Sequence, residues 1–153
     1  MNSTATPTGN APATAIGLIR LMRPSQWLKN GIVLAPLVFG AEFTDMAVVA
    51  SALLAMLLFC IASSATYIVN DYHDIEQDRR HPLKSVQRPL AAGHTSKRQA
   101  LVLLCCLYGM LACGFFLQPA VVPAILAYLV LNLAYTYKLK HQPVIDIFTI
   151  AIG

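Results

Sequence analysis

The sequence predicts an all-α integral membrane protein, a helical bundle with four complete transmembrane helices and the start of a fifth. Of its 153 residues, 57% are hydrophobic and 12% are charged, whereas about a quarter of a soluble domain is charged. The apolar residues form runs of about 20, the length that crosses a bilayer. Basic residues cluster between these runs, as in cytoplasmic loops, so we expect no nucleic-acid partner.

The chain divides into a short tail and one membrane domain. Residues 1–15 carry no charge and lack the basic start and apolar core of a signal peptide. They predict a disordered tail on the cytoplasmic side. Residues 16–153 predict the N-terminal part of a transmembrane domain. The chain is expected to be truncated, since its last apolar run is too short to span.

Each span follows from the position of an apolar run and its flanking polar residues. Ser96 followed by Gln99 predicts a capping box at the start of the third span. The predicted spans run from about Leu18 to Ala41, Met46 to Asn70, Gln99 to Leu117 and Ala120 to Tyr137, with a fifth run from Pro143 to Gly153.

One topology satisfies the positive-inside rule. The turns 41–45 and 118–122 contain no lysine or arginine and are expected outside, whereas the N-terminus and the loops 71–98 and 138–142 are expected inside. The sequence therefore predicts a multi-pass protein of the plasma (inner) membrane whose functional site faces the cytoplasm.

Four of the seven acidic residues lie within positions 71–78. If the second span continues through them as a helix, each residue advances about 100°. Asp71, Asp74 and Asp78 then share one face, and Glu76 points away. Three carboxylates at a helix C-terminus repel one another and the helix dipole. A bound cation would stabilise them; the simpler alternative is a solvated acidic loop.

Carboxylate oxygens favour Mg²⁺ or Mn²⁺, which typically join a few carboxylates to substrate phosphates. We therefore predict Asp71, Asp74 and Asp78 as catalytic metal ligands, with the Asn70 amide contacting a water or a phosphate. Downstream, Lys84 and Arg88 lie in a turn-rich segment suited to holding phosphate. Metal, carboxylates and cations together fit a diphosphate leaving group. Positive-inside charge alone is the alternative explanation for the basic residues.

Other polar residues have two interpretations each. Lys29 and Asn30, at the entry of the first span, either anchor it at the membrane interface with Trp27 or reach the cavity. Tyr135 packs in the bundle or lines a cavity. Asp146, within an apolar run, is a candidate site residue or pairs with a nearby lysine.

Several motifs resemble the UbiA superfamily of membrane prenyltransferases. Asn70-Asp-x-x-Asp-x-x-x-Asp78 after an apolar helix, followed by Arg88-Pro-Leu-x-x-Gly93, is similar to the first aspartate-rich motif of that superfamily. Arg23-Pro-Ser-Gln-Trp-x-Lys-Asn30 and Asp78-Arg-x-His-Pro-x-Lys-x-x-x-Arg-Pro89 resemble its decaprenyl-phosphate phosphoribosyltransferase branch.

The resemblance implies a nine-span bundle around a cavity, with Mg²⁺ at two aspartate-rich motifs, the second beyond Gly153. A Tyr-x-x-x-Lys feature of the superfamily is only approximated by Tyr135 and Lys140, which the resemblance assigns to substrate binding. It further implies transfer of phosphoribosyl from phosphoribosyl diphosphate to a polyprenyl phosphate. Two alternatives stay open: a prenyltransferase that moves a polyprenyl chain from its diphosphate to an aromatic acceptor, and a non-catalytic scaffold or ion-handling membrane protein.

Overall fold

The computed structural model describes residues 11–40 and 43–137, and within these ranges every regular element is a helix. In chain order the elements are α1 (Ala11–Met22), a 3₁₀ segment (Pro24–Leu34), α2 (Ala35–Phe39), α3 (Met46–His73), α4 (Ile75–Arg80), α5 (Lys84–Gln87), α6 (Lys97–Leu117), a 3₁₀ turn (Pro119–Val121) and α7 (Val122–Tyr137). The all-helical prediction is confirmed for this part of the chain.

Three of these helices are long and apolar enough to cross a membrane: α3, α6 and the stretch Pro119–Tyr137. They coincide with the predicted second, third and fourth spans. Asp45 begins α3 by accepting a hydrogen bond from the Ala47 amide at 2.8 Å, which satisfies one of the free amides of the first turn. Ser96 and Gln99 form the predicted capping box at the start of α6.

The prediction of a single first helix from Leu18 to Ala41 is wrong. Helix α1 ends at Met22, and Arg23 adopts a left-handed conformation with φ of 50°. Residues that precede proline disfavour the right-handed helical region, so Pro24 accounts for the interruption. The chain then continues as the 3₁₀ segment and α2.

Helix α3 forms the centre of the bundle and packs against α1, the 3₁₀ segment, α6 and α7. Its buried side chains include Leu58 and Ile68, which meet Leu107 of α6 and Ile125 of α7 in one apolar core. Gly114 lets α6 approach α3 closely, because a Cβ atom there would overlap the side chain of Leu58.

The 3₁₀ segment is attached to α3 by polar contacts. Trp27 Nε1 donates to Ser64 Oγ at 2.9 Å, and Asn30 Nδ2 donates to Ser63 Oγ at 3.1 Å. None of the segment's own residues is fully buried. Its position on α3 therefore depends on these hydrogen bonds more than on apolar packing.

Some predictions fall on residues outside the described ranges. These are most of the predicted N-terminal tail, the loop containing Lys140, and the fifth apolar run with Asp146.

Candidate functional site

The three aspartates predicted to share one face are all buried, where α3 ends and α4 begins. Asp71 and Asp78 are 2% exposed and Asp74 is 7% exposed, whereas Glu76 lies on the surface. The helix is not continuous as expected: it ends at His73, and α4 begins at Ile75. Asp74 itself leaves helical geometry, with φ of −94° and ψ of 5°. Helical hydrogen bonds nevertheless continue across it, from the Asp74 amide to the Asn70 carbonyl at 3.0 Å and from the Asp78 amide to the Asp74 carbonyl at 2.8 Å, so the three aspartates stay on the buried side.

Arg88 joins two of these carboxylates. Its Nη1 atom donates to Asp71 Oδ1 at 2.9 Å and to Asp78 Oδ2 at 2.6 Å. Lys84 Nζ lies 3.8 Å from Asp78 Oδ1. The loop between α4 and α6 therefore folds back so that its predicted phosphate-binding cations meet the aspartates.

Arg23 is the third cation of the site. Its Nη2 atom lies 2.6 Å from Asp71 Oδ1, and its guanidinium stacks on the Tyr67 ring at 4.6 Å from the centroid. A left-handed backbone is costly for arginine. It is offset here by a charged hydrogen bond and a cation–π contact.

In the sequence, Arg23 is part of the motif that begins the first apolar run, and it is not among the predicted site residues. A continuous helix from Leu18 gives no reason for its side chain to turn towards α3. The sequence signal for this change of direction is Pro24, which directly follows Arg23. A proline inside an apolar run that is expected to be helical commonly marks a break in the helix.

Asp74 contacts the neighbouring residue His73, whose Nδ1 lies 3.0 Å from Asp74 Oδ1. The His73 ring also meets Tyr137 edge-on, with 5.1 Å between the ring centroids. The end of α7 is thereby connected to the acidic cluster. This side of the site presents aromatic and imidazole surface, whereas the side with Asp71 and Asp78 presents arginine and lysine.

The remaining predicted site residues are more dispersed. Asn70 is half-buried in the last turn of α3, and within the described residues its side-chain amide makes no hydrogen bond. Lys29 is exposed on the 3₁₀ segment, and Asn30 bonds to the middle of α3. Tyr135 is half-buried on α7, and Lys140 lies outside the described ranges. The roles of these residues in substrate binding stay predictions.

The three aspartates do not depend on a metal ion to relieve their mutual repulsion, contrary to the expectation from the sequence. Repulsion among the aspartates is relieved by the chain's own cations, Arg23, Lys84 and Arg88. In residues 11–40 and 43–137, no group of three or more histidine, cysteine or acidic side chains is arranged to hold a metal ion. Burial of the cluster therefore does not by itself require a metal.

The carboxylates of Asp71 and Asp78 nonetheless fit the coordination that Mg²⁺ usually has in proteins. Mg²⁺ is commonly bound by one or two carboxylates, with substrate phosphates and waters completing its coordination. Asp71 and Asp78 converge on one guanidinium nitrogen, so two hard oxygen ligands already face a common point. A diphosphate would supply the others.

The amino-acid sequence places the chain in a family of membrane transferases. Residues 29–153 match the UbiA prenyltransferase family, and the chain belongs to it. The resemblance seen in the aspartate-rich motif is thereby confirmed.

The chain is similar to decaprenyl-phosphate phosphoribosyltransferases from three bacteria. It is 38% identical to that of Mycolicibacterium smegmatis over 100% of this chain and 50% of the relative. It is 37% identical to that of Mycobacterium tuberculosis (92% and 48%) and 39% identical to that of Corynebacterium glutamicum (91% and 43%). The chain spans about half the length of the curated relatives it matches.

Proposed function

We propose that the protein containing this chain transfers a phosphoribosyl group from phosphoribosyl diphosphate to a polyprenyl phosphate in the plasma membrane. The observation that carries the proposal is the junction at Arg88, where two buried carboxylates and three basic side chains meet at one end of α3. The names of the three bacterial relatives support the choice of donor and acceptor.

The basic side chains provide the charge that a departing diphosphate needs. Arg88 and Lys84 now neutralise Asp78, and Arg23 neutralises Asp71. When a diphosphate enters, the guanidinium groups of Arg23 and Arg88 can turn from carboxylate to phosphate oxygens, because a guanidinium binds both in the same forked geometry. Lys84 can do the same as a single point charge. Asp71 and Asp78, with Asp74 and Asn70 beside them, would hold Mg²⁺, which would screen the diphosphate charge.

The proposed reaction is a single displacement at the ribose. A phosphate oxygen of the polyprenyl phosphate forms a bond to C1 of the ribose, the bond from C1 to the diphosphate breaks, and the diphosphate leaves with the electron pair. No covalent enzyme intermediate is required. The chain's contribution is to bind the diphosphate, to neutralise it and to keep it close to the membrane surface where the lipid phosphate lies.

The test compares donors in the purified protein that contains this chain. Labelled phosphoribosyl diphosphate with polyprenyl phosphate should give a labelled lipid in the presence of Mg²⁺, and labelled polyprenyl diphosphate with an aromatic acceptor should not. Turnover of the prenyl donor alone would support the prenyltransferase alternative, which the family name also suggests.

A pair of variants separates catalysis from a scaffold role. Asp78→Asn should lower kcat by about 100-fold or more, in line with the loss of one charge-stabilising group. Glu76→Gln is the matched control, because Glu76 lies two residues away on the surface and its ion pair among the described residues is with the exposed Arg79. Equal turnover in both variants would exclude the proposed site.

A further inference from the structure

A groove of about 310 Å³ lies between α1 and the first turns of α6. Leu18 forms one wall, and Val102, Leu103 and Cys106 form the other. Arg98 and Gln99 lie at the end of the groove where α6 begins. From Arg98 to Cys106 the helix rises about 12 Å. The groove is therefore an apolar surface of that length with the guanidinium of Arg98 at one end.

The surroundings of Arg98 are positively charged. Arg98 takes part in no ion pair within the described part of the chain. A second cavity of about 200 Å³ on α1 is lined by Arg20 and His94 together with Ile16 and Gly17. None of the residues that line these two cavities is acidic. The charge at the junction of α1 with α6 therefore favours anions over cations.

The two sides of this junction are in direct contact. A Cβ atom at Gly17 would lie 2.5 Å from Thr95 Oγ1 and 3.3 Å from the His94 carbonyl oxygen. Helix α1 is thus pressed against the loop that leads into α6, which fixes the position of Arg20 relative to His94. The Thr95 hydroxyl is buried there without a hydrogen-bond partner among the described residues.

We propose that this groove binds one anionic phospholipid, with its headgroup phosphate at Arg98 and one acyl chain along Val102, Leu103 and Cys106. Helix α6 has the length and composition of a membrane span and begins at Lys97. A basic group at the first turn of a span lies at the depth of lipid headgroups, where basic side chains attract anionic lipids. The apolar wall below it faces acyl chains, not water.

The experiment measures which lipid occupies the groove. The full chain carrying Val102→Trp is reconstituted into vesicles that contain brominated phosphatidylglycerol or brominated phosphatidylcholine at equal mole fraction. Val102 is exposed, so the substitution should not disturb folding. Emission from Trp27, the single native tryptophan, is measured in the parent chain and subtracted. Quenching should indicate about fivefold preferential binding of phosphatidylglycerol, the effect of one interfacial basic residue.

Two controls decide the outcome. Arg98→Gln should abolish most of the preference, whereas Arg79→Gln, an exposed arginine paired with Glu76, should retain it despite the same change in net charge. A tryptophan introduced by Val130→Trp on the exposed face of α7 reports the background preference. Equal ratios at positions 102 and 130, or an unchanged ratio in Arg98→Gln, would overturn the proposal.

Discussion

Arg88 is the residue on which the acidic cluster most depends. Its Nη1 atom serves two carboxylates that are each 2% exposed. Without Arg88, among the described residues Asp71 keeps only Arg23 and Asp78 keeps only Lys84, whose Nζ lies 3.8 Å away. Weakening the compensation of two buried charges costs more than the loss of an exposed ion pair. The same residue is therefore both a structural element of the site in the absence of substrate and a proposed ligand for the diphosphate.

We predict that Arg88→Ala lowers the free energy of unfolding by about 3 kcal/mol, measured by denaturant titration in detergent micelles. Arg79→Ala is the control and should change it by no more than about 0.5 kcal/mol, because its pair with Glu76 is exposed. Adding Asp78→Asn to Arg88→Ala should recover part of the loss, since one uncompensated charge disappears. Equal losses in the two single variants would contradict this account.

Residue spacing predicted part of this site and missed part. The 100° advance per residue was enough to place three aspartates on the buried face and Glu76 outside, because that advance survives the small irregularity at Asp74. It could not place Arg23, whose direction depends on a backbone conformation that regular periodicity does not include. Spacing alone also does not predict that Lys84 and Arg88, expected to bind phosphate, pair with the aspartates themselves.

The contact between α3 and α6 depends on one small residue at their crossing. Gly114→Ala places a methyl group against Leu58 and should lower the free energy of unfolding by about 1–3 kcal/mol, the usual cost of overpacking. Gly109→Ala, in the same helix, is the matched control, because a Cβ atom there meets nothing within 4 Å. It should be neutral or stabilising by up to about 1 kcal/mol. Similar destabilisation by both variants would show that helix packing is not the cause.

Helix prediction was successful where an apolar run was uninterrupted and capped. The stretches that form α3, α6 and Pro119–Tyr137 contain no charged residue except at their ends. The first run differed because Arg23, Pro24 and Lys29 lie within it. Hydropathy summed over a window is not sensitive to a break in the backbone. It therefore predicts one continuous helix where the chain forms α1, the 3₁₀ segment and α2.

For the whole molecule, the positive-inside rule predicts which end of the bundle faces the cytoplasm. The orientation can be tested with single cysteines in a chain whose four native cysteines are replaced by alanine. In right-side-out vesicles, a membrane-impermeant maleimide should label Thr44→Cys at once and label Gln87→Cys only after the vesicles are opened. Both positions are exposed in the structure. The reverse pattern would place the acidic site on the outer face.

The interruption at Arg23 also affects how far the chain reaches. A 3₁₀ helix rises about 2.0 Å per residue, whereas an α-helix rises about 1.5 Å. The 11 residues of the 3₁₀ segment therefore rise about 22 Å, whereas an α-helix of the same length would rise about 16 Å. The tighter helix thus carries the chain about one α-helical turn further along α3 from Arg23, which stays at the start of the segment beside Asp71.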